Sequence, residues 1–283
     1  MKLTLLLPTY NRPNKFRYLL DFINKELSSF EKSVFDIEII VGDNSSDDLT
    51  QHICENSILF KKGLLSYVKN VRNIGLIDNV TSLIRKGTGY YTWILGDDDF
   101  YHEGIFKKVH DTIHKDNFSY IFLNHRAYIK GKENESGFRS AVDLNKKDTY
   151  DDGKDLILDV WGYSQSTLMF ISASVCNTKI LKECLQNKNK LDITFPLYIS
   201  FYCGAKGKGK IIKDIYIDNI WGTTSWQNVK SKVFNYYLPN NLYLLPKLGY
   251  NYFTSRRMLI MYLIQRIKLE SSRFFSIIKF SLK

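Results

Sequence analysis

Tyr90-Tyr91-Thr92-Trp93-Ile94-Leu95-Gly96-Asp97-Asp98-Asp99 is an apolar run that stops on three carboxylates. A short apolar run bounded by a turn signal reads as a strand buried on both faces, as in a parallel sheet. Three adjacent carboxylates repel one another by roughly 1–4 kcal/mol per close pair, depending on the local dielectric. Such a cluster is tolerated where it faces water or holds a divalent cation. Oxygen ligands with room for water and phosphate suit Mg²⁺ or Mn²⁺. The plainer alternative is an acidic turn that caps the next helix.

The same grammar recurs on the N-terminal side. Leu3 to Leu7 is apolar and ends in Pro8-Thr9-Tyr10-Asn11-Arg12-Pro13. Phe35 to Val41 ends in Gly42-Asp43-Asn44-Ser45-Ser46-Asp47-Asp48. Leu64 to Val68 is a third short run, followed by the loop Asn70 to Gly75. Helical patterns lie between them: Phe16, Leu19, Leu20, Ile23 and Leu27, then residues 49–60, then Ile77 to Ile84. This β–loop–α alternation predicts an α/β fold with a mostly parallel, doubly wound sheet. In such sheets ligands bind at the carboxyl ends of the strands. The loops at 8–13, 42–48 and 96–99 are therefore expected to converge on one edge.

Two of the polar loops carry further chemistry. Asp43 can accept the N3–H of a pyrimidine, and Asn44 and Ser45 suit ribose hydroxyls; an Asx turn with a helix cap is the competing reading. Arg72-Asn73-Ile74-Gly75, with Asn79 beyond, offers a cation for a diphosphate and a backbone that permits close approach. An ordinary strand-to-helix loop would look the same.

Beyond residue 100 the pattern thins. Phe106 to Ile113 reads as a helix, Tyr120 to Leu123 as a strand and residues 130–155 as a polar excursion. Leu156 to Trp161 and Leu168 to Val175 are apolar, Ile211 to Ile217 reads as one late strand, and the chain is helical and basic from Asn251 on. Trp161 to Phe170 has the composition of a sugar platform, and Trp221 to Trp226 that of a lid over a diphosphate; core strand and plain loop are the alternatives. Lys206 to Lys210 lacks the Walker pattern and reads as an exposed turn. The five histidines are scattered and receive no role.

Bulk properties set the frame. With 283 residues, 44% apolar and 24% charged, the chain can bury a sizeable core. The formal charge of +11 admits nucleic acid, an anionic membrane or a phosphate-bearing substrate as partner. From Arg256 to Lys283 seven Lys/Arg face one acid, Glu270. With Leu259, Ile260, Leu263, Ile264 and Ile267 at helical spacing, that tail reads as a membrane-surface helix or as a helix packed on the domain. Cations gathered in a terminal helix, and acids crowding the predicted site, argue against nucleic acid. Cys54, Cys176, Cys184 and Cys203 have no zinc or CxxC spacing and read as buried thiols suited to a reducing cytosol. No secretory signal and no membrane span are expected.

Pro8-Thr9-Tyr10-Asn11-Arg12, Val41-Gly42-Asp43-Asn44-Ser45-Ser46-Asp47, Asn73-Ile74-Gly75 and Leu95-Gly96-Asp97-Asp98-Asp99 together resemble, in order and spacing, the signatures of glycosyltransferase family 2. Within that family the chain is similar to bacterial enzymes that build O-antigen or capsule repeats, including abequosyltransferase-like members. The resemblance implies a GT-A (Rossmann-like) domain over 1–225, with a nucleotide-binding half at 1–100 and an acceptor half at 101–225. A basic helical extension at 226–283 follows. It implies a nucleotide site that includes Pro8, Thr9, Tyr10, Arg12, Asp43, Asn44, Arg72, Asn73, Gly75, Asp97 and Asp98. Asp98 falls on the last Asp of the family's DXD motif, and Asp98 and Asp99 rank above Asp97 as ligands for Mg²⁺ or Mn²⁺. The implied reaction moves a sugar, with inversion, from a nucleoside diphosphate (UDP favoured) to a saccharide, which a polyprenyl diphosphate can carry. A cytoplasmic enzyme, peripheral on the inner membrane face through 256–283, fits that acceptor. The acidic Glu-Asp pair that commonly supplies the base in the family is missing, and Asp192, in Leu191-Asp192-Ile193-Thr194, is the nearest carboxylate. Asp151 and Asp152 are weaker candidates, and an inactive sugar-nucleotide-binding homologue is the alternative reading.

Overall fold

A computed structural model describes residues 1–30, 36–129, 139–140, 142, 147–163, 167–187, 191–221 and 227–281. The described chain divides into two units: Met1–Leu191 with Phe195–Thr224, and Asp192–Thr194 with Ser225–Lys283.

The first unit opens with β1 (Leu3–Thr9), α1 (Pro13–Ser28), β2 (Ile37–Asp43), α2 (Asp48–Asn56), α3 (Ile58–Lys61), β3 (Leu65–Lys69), α4 (Leu76–Lys86) and β4 (Tyr91–Ile94). It continues through β5 (Phe100–Tyr101), α5 (Ile105–Ile113), β6 (Tyr120–Leu123), β7 (Arg126–Ile129), β8 (Arg139–Ser140), β9 (Thr149–Tyr150) and α6 (Gly153–Tyr163). β10 (Ser174–Asn177), α7 (Thr178–Asn187), α8 (Phe195–Gly204), β11 (Gly209–Ile212) and β12 (Ile217–Trp221) complete it.

The main sheet runs β3-β2-β1-β4-β10-β6-β11-β9. β1 lies parallel to β2, with Thr9 opposite Asp43, and parallel to β4, with Leu6 opposite Ile94. The chain leaves β1 toward β2 and β3 on one side and returns to β4 on the other. That reversal opens a crevice at the carboxyl ends of β1 and β4, the topological switch point of an open α/β sheet. The strands here are uninterrupted apolar runs because both faces are covered; Leu3, Leu5, Leu7, Ile39, Val41 and Trp93 are all fully enclosed.

Two expectations need correcting. Ile211 to Ile217 is not one strand. β11 joins β6 in the main sheet, and β12 joins a second sheet of order β5-β12-β7-β8. Residues 49–60 break at Ser57, whose hydroxyl accepts the amide of Phe60 and starts a new turn. Leu168 to Val175 holds two single-turn helices and then β10, which runs antiparallel between β4 and β6. All four cysteines are buried, and none is in a disulfide.

α1 holds the crevice-side loops in place from beneath. Phe16, Leu19, Leu20 and Ile23 bury one face of it, and Phe22 meets Tyr101 and Phe106 in an aromatic cluster closed by Trp93. A charge inside this apolar contact has a definite task. Glu26 is buried, and both its oxygens accept the Gly104 amide at 3.0 Å; one also accepts the Phe106 amide at 3.3 Å. Gly104, at φ 86°, brings no cap of its own to α5, so the carboxylate satisfies the open amides and complements the helix dipole. Glu26→Ala is expected to leave these amides unpaired and to cost about 1–3 kcal/mol. Urea unfolding measures it, and an unchanged midpoint would show the cap to be dispensable.

Candidate active site

The three loops predicted to converge do so, and side chains knit them together. Thr9, the last residue of β1, donates from Oγ1 to Asp97 Oδ2 at 2.8 Å. Arg12, at the entry to α1, donates from Nη1 to Asp97 Oδ1 at 2.8 Å and lies 2.8 Å from Asp98 Oδ2. The loop after β2 joins through two bonds: the Asn44 amide to Thr9 O at 2.9 Å, and the Asn11 amide to Ser46 Oγ at 2.8 Å.

Electrostatics follow from depth. Asp97 is buried, which pushes its carboxyl pKa up against the pull of Arg12 and Thr9. Burial works against the Arg12 charge, but Asp97 and Asp98 more than restore it, so its pKa rises. Asp98 is part-exposed, and its Oδ1 accepts no hydrogen bond among the described residues.

Asp99 turns to other partners. Its Oδ2 accepts Ser172 Oγ at 2.6 Å and its Oδ1 accepts Asn219 Nδ2 at 3.2 Å. Ser172 Oγ also takes the Gly96 amide at 3.0 Å. Burial pushes the Asp99 carboxyl up to about 8, with the Asp98 charge adding to the rise and the two donors opposing it. A β-carbon at position 96 would stand 2.5 Å from Asp99 Oδ2, so this tight turn needs glycine.

Asp43 and Asn44 organise the second loop. Asp43 is fully buried; Oδ1 accepts the Ser46 amide at 2.7 Å and Oδ2 accepts the Tyr67 hydroxyl. Asn44 Oδ1 accepts the Ile74 amide at 2.9 Å, and its Nδ2 donates to Asn73 Oδ1 at 2.7 Å. Asn73 Oδ1 also accepts the Gly75 amide at 2.9 Å, and Gly75, at φ 84°, opens α4. Asn79 ties the same region down by donating to Gly42 O at 2.8 Å. Tyr10 and Arg72 are exposed, and Arg72 has no ion pair among the described residues.

With that geometry in hand, the kinship can be stated. The family described as glycosyl transferase family 2 matches residues 4–177, more than half of the chain. The chain belongs to glycosyl transferase family 2. Abequosyltransferase RfbV of Salmonella typhimurium is 34% identical over 102 residues, which is 35% of this chain and 28% of that protein. The chain thus aligns with well under half of that curated relative.

Solved structures share the fold. TarS 1–349 of S. aureus in complex with UDP superposes with a TM-score of 0.68 at 17% identity, covering 98% of this chain and 75% of that one. The mannosyltransferase PcManGT from Pyrobaculum calidifontis, in complex with GDP-Man and Mn²⁺, gives 0.56 at 11% identity, covering 99% and 80%. The GT-A arrangement with a C-terminal helical segment is established on that likeness.

Pro8, Thr9, Arg12, Asp43, Asn44, Asn73, Asp97 and Asp98 all lie along the one edge where the loops after β1, β2, β3 and β4 meet. Asp192 belongs to the second unit. Its Oδ1 accepts the Thr194 amide at 2.9 Å and the Thr194 hydroxyl, and Thr194 Oγ1 accepts Asn241 Nδ2 at 2.7 Å. Asp152 caps α6, accepting the Lys154 amide at 2.9 Å. The Gly222 to Trp226 portion of the expected lid, and Ser164 to Ser166 of the expected platform, lie outside the described residues. Among the described residues no three His, Cys, Asp or Glu side chains form a metal cage.

Tyr67, Asn70, Ser172 and Asn219 escaped the sequence reading. Tyr67 and Asn70 sit within a few residues of motif positions, but Ser172 and Asn219 reach Asp99 from 73 and 120 residues away, and no local pattern marks them.

The Asp99 environment has a consequence for stability. Folded, the carboxyl keeps its proton up to about pH 8; unfolded, it loses it near pH 4. Between those values the folded state binds more protons, so stability is expected to fall as pH rises from about 4 to about 8. Asp99→Asn keeps a neutral side chain for Ser172 and Asn219 and is expected to flatten that slope. Urea midpoints across the interval decide it: equal slopes in both proteins would mean that Asp99 titrates normally.

Proposed function

We propose that the protein is an inverting glycosyltransferase that moves a sugar from a nucleoside diphosphate, UDP favoured, to a saccharide, assisted by Mg²⁺ or Mn²⁺. The observation that carries the reading is the cross-linked polar edge: Thr9 and Arg12 reach across the switch point to Asp97 and Asp98 in a chain of family 2. The relatives named above support it, one an abequosyltransferase, one in complex with UDP and one with GDP-Man and Mn²⁺.

The roles follow from position and chemistry. Pro8, Thr9 and Tyr10 line the nucleotide. Asp43 is assigned the pyrimidine N3–H, a contact that requires the loop over its enclosed carboxylate to shift, while Asn44, Asn73 and Gly75 hold the ribose side of the loop. Arg72, exposed and unpaired, meets the diphosphate, and Arg12 balances the carboxylates beneath it. Asp98, with Asp99 behind it, would hold the cation, which when bound stabilises charge on the departing diphosphate. Asp192 takes the acceptor hydroxyl proton.

The acceptor in this reading belongs to bacterial surface polysaccharide synthesis, O-antigen or capsule. A polyprenyl diphosphate carries it at the inner face of the cell membrane, where the basic segment 256–283 meets anionic lipid. Buried cysteines without disulfides suit the reducing cytosol.

Thermal unfolding with UDP, CDP, dTDP and GDP, each with and without Mn²⁺, tests the donor site. One diphosphate at a hundredfold excess over its Kd is expected to raise the melting temperature by ~5–10 °C, and only with metal. Asp98→Ala is expected to abolish that rise; no rise with any nucleotide would remove the donor-site reading.

The base is tested separately. Asp192→Asn is expected to lower kcat by ~10²–10⁴ with the nucleotide-induced shift intact. Unchanged turnover would return Asp192 to its role in the Thr194 turn.

A further inference from the structure

The second unit carries a surface that sugar transfer does not use. It contains a one-turn helix α9 (Lys230–Lys232), α10 (Leu238–Leu244) and the long α11 (Tyr252–Ser281). One stripe of α11 is packed within this unit. Ser255 and Tyr262 are buried, the Tyr262 hydroxyl donates to Phe234 O at 2.6 Å, and Arg266 Nη2 donates to Asn235 Oδ1 at 2.9 Å.

The opposite side is apolar as well. At 3.6 residues per turn, Phe253, Ile260, Ile264 and Ile267 align along one line away from Ser255 and Tyr262. All four are open to solvent, Phe253 at 80% and Ile267 at 65%. A helix that is apolar on two opposed sides has packed only one of them, and an exposed apolar line interspersed and rimmed with cations marks an interaction surface.

Charge says what meets it. Residues 225–283 hold ten Lys/Arg against the single acid Glu270, which is nine of the chain's formal +11. Arg257 and Lys268 flank the stripe on one side. On the other, Arg256 is held over the rings of Tyr243, at 4.3 Å, and Tyr252, at 5.0 Å; both tyrosines are exposed. Aromatic rings and long cations around an aliphatic line match the interfacial zone of a bilayer, where apolar side chains enter and ammonium and guanidinium groups stay with the phosphates. A second copy of the chain would set these same cations against each other with almost no acid to relieve them. No helix among the described residues is long and apolar enough to cross a membrane, so the helix would lie in the interface plane.

We propose that residues 252–269 form a docking surface for an anionic lipid bilayer, with the Phe253, Ile260, Ile264 and Ile267 line entering the headgroup boundary and Arg256, Arg257 and Lys268 meeting lipid phosphates. This narrows the membrane contact of the preceding section to one helix side, and it rests on exposure and charge, so it stands or falls independently of the donor chemistry.

Co-sedimentation of the full chain with vesicles tests it. Phosphatidylcholine vesicles are compared with vesicles carrying roughly one-third phosphatidylglycerol. Binding to the anionic vesicles is expected to be at least about tenfold tighter and to weaken between about 0.1 M and about 1 M salt. Ile264→Ser with Ile267→Ser is expected to lower it at least about tenfold, since two exposed aliphatic side chains are lost from the inserted line. Arg257→Gln with Lys268→Gln is expected to lower it roughly fivefold per cation. Circular dichroism confirms that each variant is folded. Equal binding to both vesicle types, or wild-type binding by the isoleucine variant, overturns the proposal. So does a wild-type dimer in light scattering that the isoleucine variant turns into a monomer, because the line is then a seam between two copies.

Discussion

The site depends on one ion-paired contact. Arg12 Nη1 sits 2.8 Å from an oxygen of Asp97 and 2.8 Å from an oxygen of Asp98, while Thr9 holds the other oxygen of Asp97. Two adjacent carboxylates at the end of a buried strand would repel strongly if left alone. One guanidinium, set at the entry to α1, pairs with both and offsets one of the two charges. The same contact bridges the carboxyl ends of β1 and β4, so the pairing of the acids and the closing of the switch point are a single event. Pro13 just inside α1 and Asn11 at φ 51° shape the approach by which Arg12 arrives there.

Division of labour among the three aspartates follows from their partners. Asp97 is spent on architecture: it is buried, and both its oxygens accept bonds from β1 and the start of α1. Asp99 is committed to Ser172 and Asn219, which tie the loop to the approach to β10 and to β12 of the second sheet. Among the described residues, Asp98 is the one of the three that keeps an oxygen without a hydrogen bond. The sequence ranks Asp98 and Asp99 above Asp97 as ligands, and the partners in the structure leave Asp98 the most open of the three. This is why the ranking of Asp99 as a ligand is harder to sustain than that of Asp98.

Legibility in the sequence tracks the kind of strand. β1, β2 and β4 were readable because each is an apolar run, largely buried on both faces, that ends in a polar loop; β3, at the sheet edge, was readable from its short apolar run and the loop after it. β10 was not readable: four residues, Ser174–Asn177, enter from single-turn helices and run against their neighbours. β11 and β12 merged into one apparent strand because only Lys213 to Tyr216 separate them, and apolar content does not record that two strands serve different sheets. Within the site, the motif positions were found but part of their work was not. Asn44 looked like a ribose ligand and Asn73 like part of a nucleotide-binding patch, and here they staple the loops after β2 and β3 to each other.

Those staples bear on how the edge is used. The loop after β2 is held at Asp43 by Ser46 and Tyr67, at Asn44 by Ile74 and Asn73, and at its backbone by Thr9. Each bond is worth only about 1 kcal/mol net, but they share residues, so displacing one side chain leaves several buried partners unsatisfied. Such a loop yields together or not at all. Arg72 and Tyr10, in contrast, stand in solvent with little to hold them. The edge therefore combines an interlocked bed of asparagines and aspartates with an exposed cationic and aromatic rim, and polar groups held in place in this way do not have to be reordered when charge develops beside them.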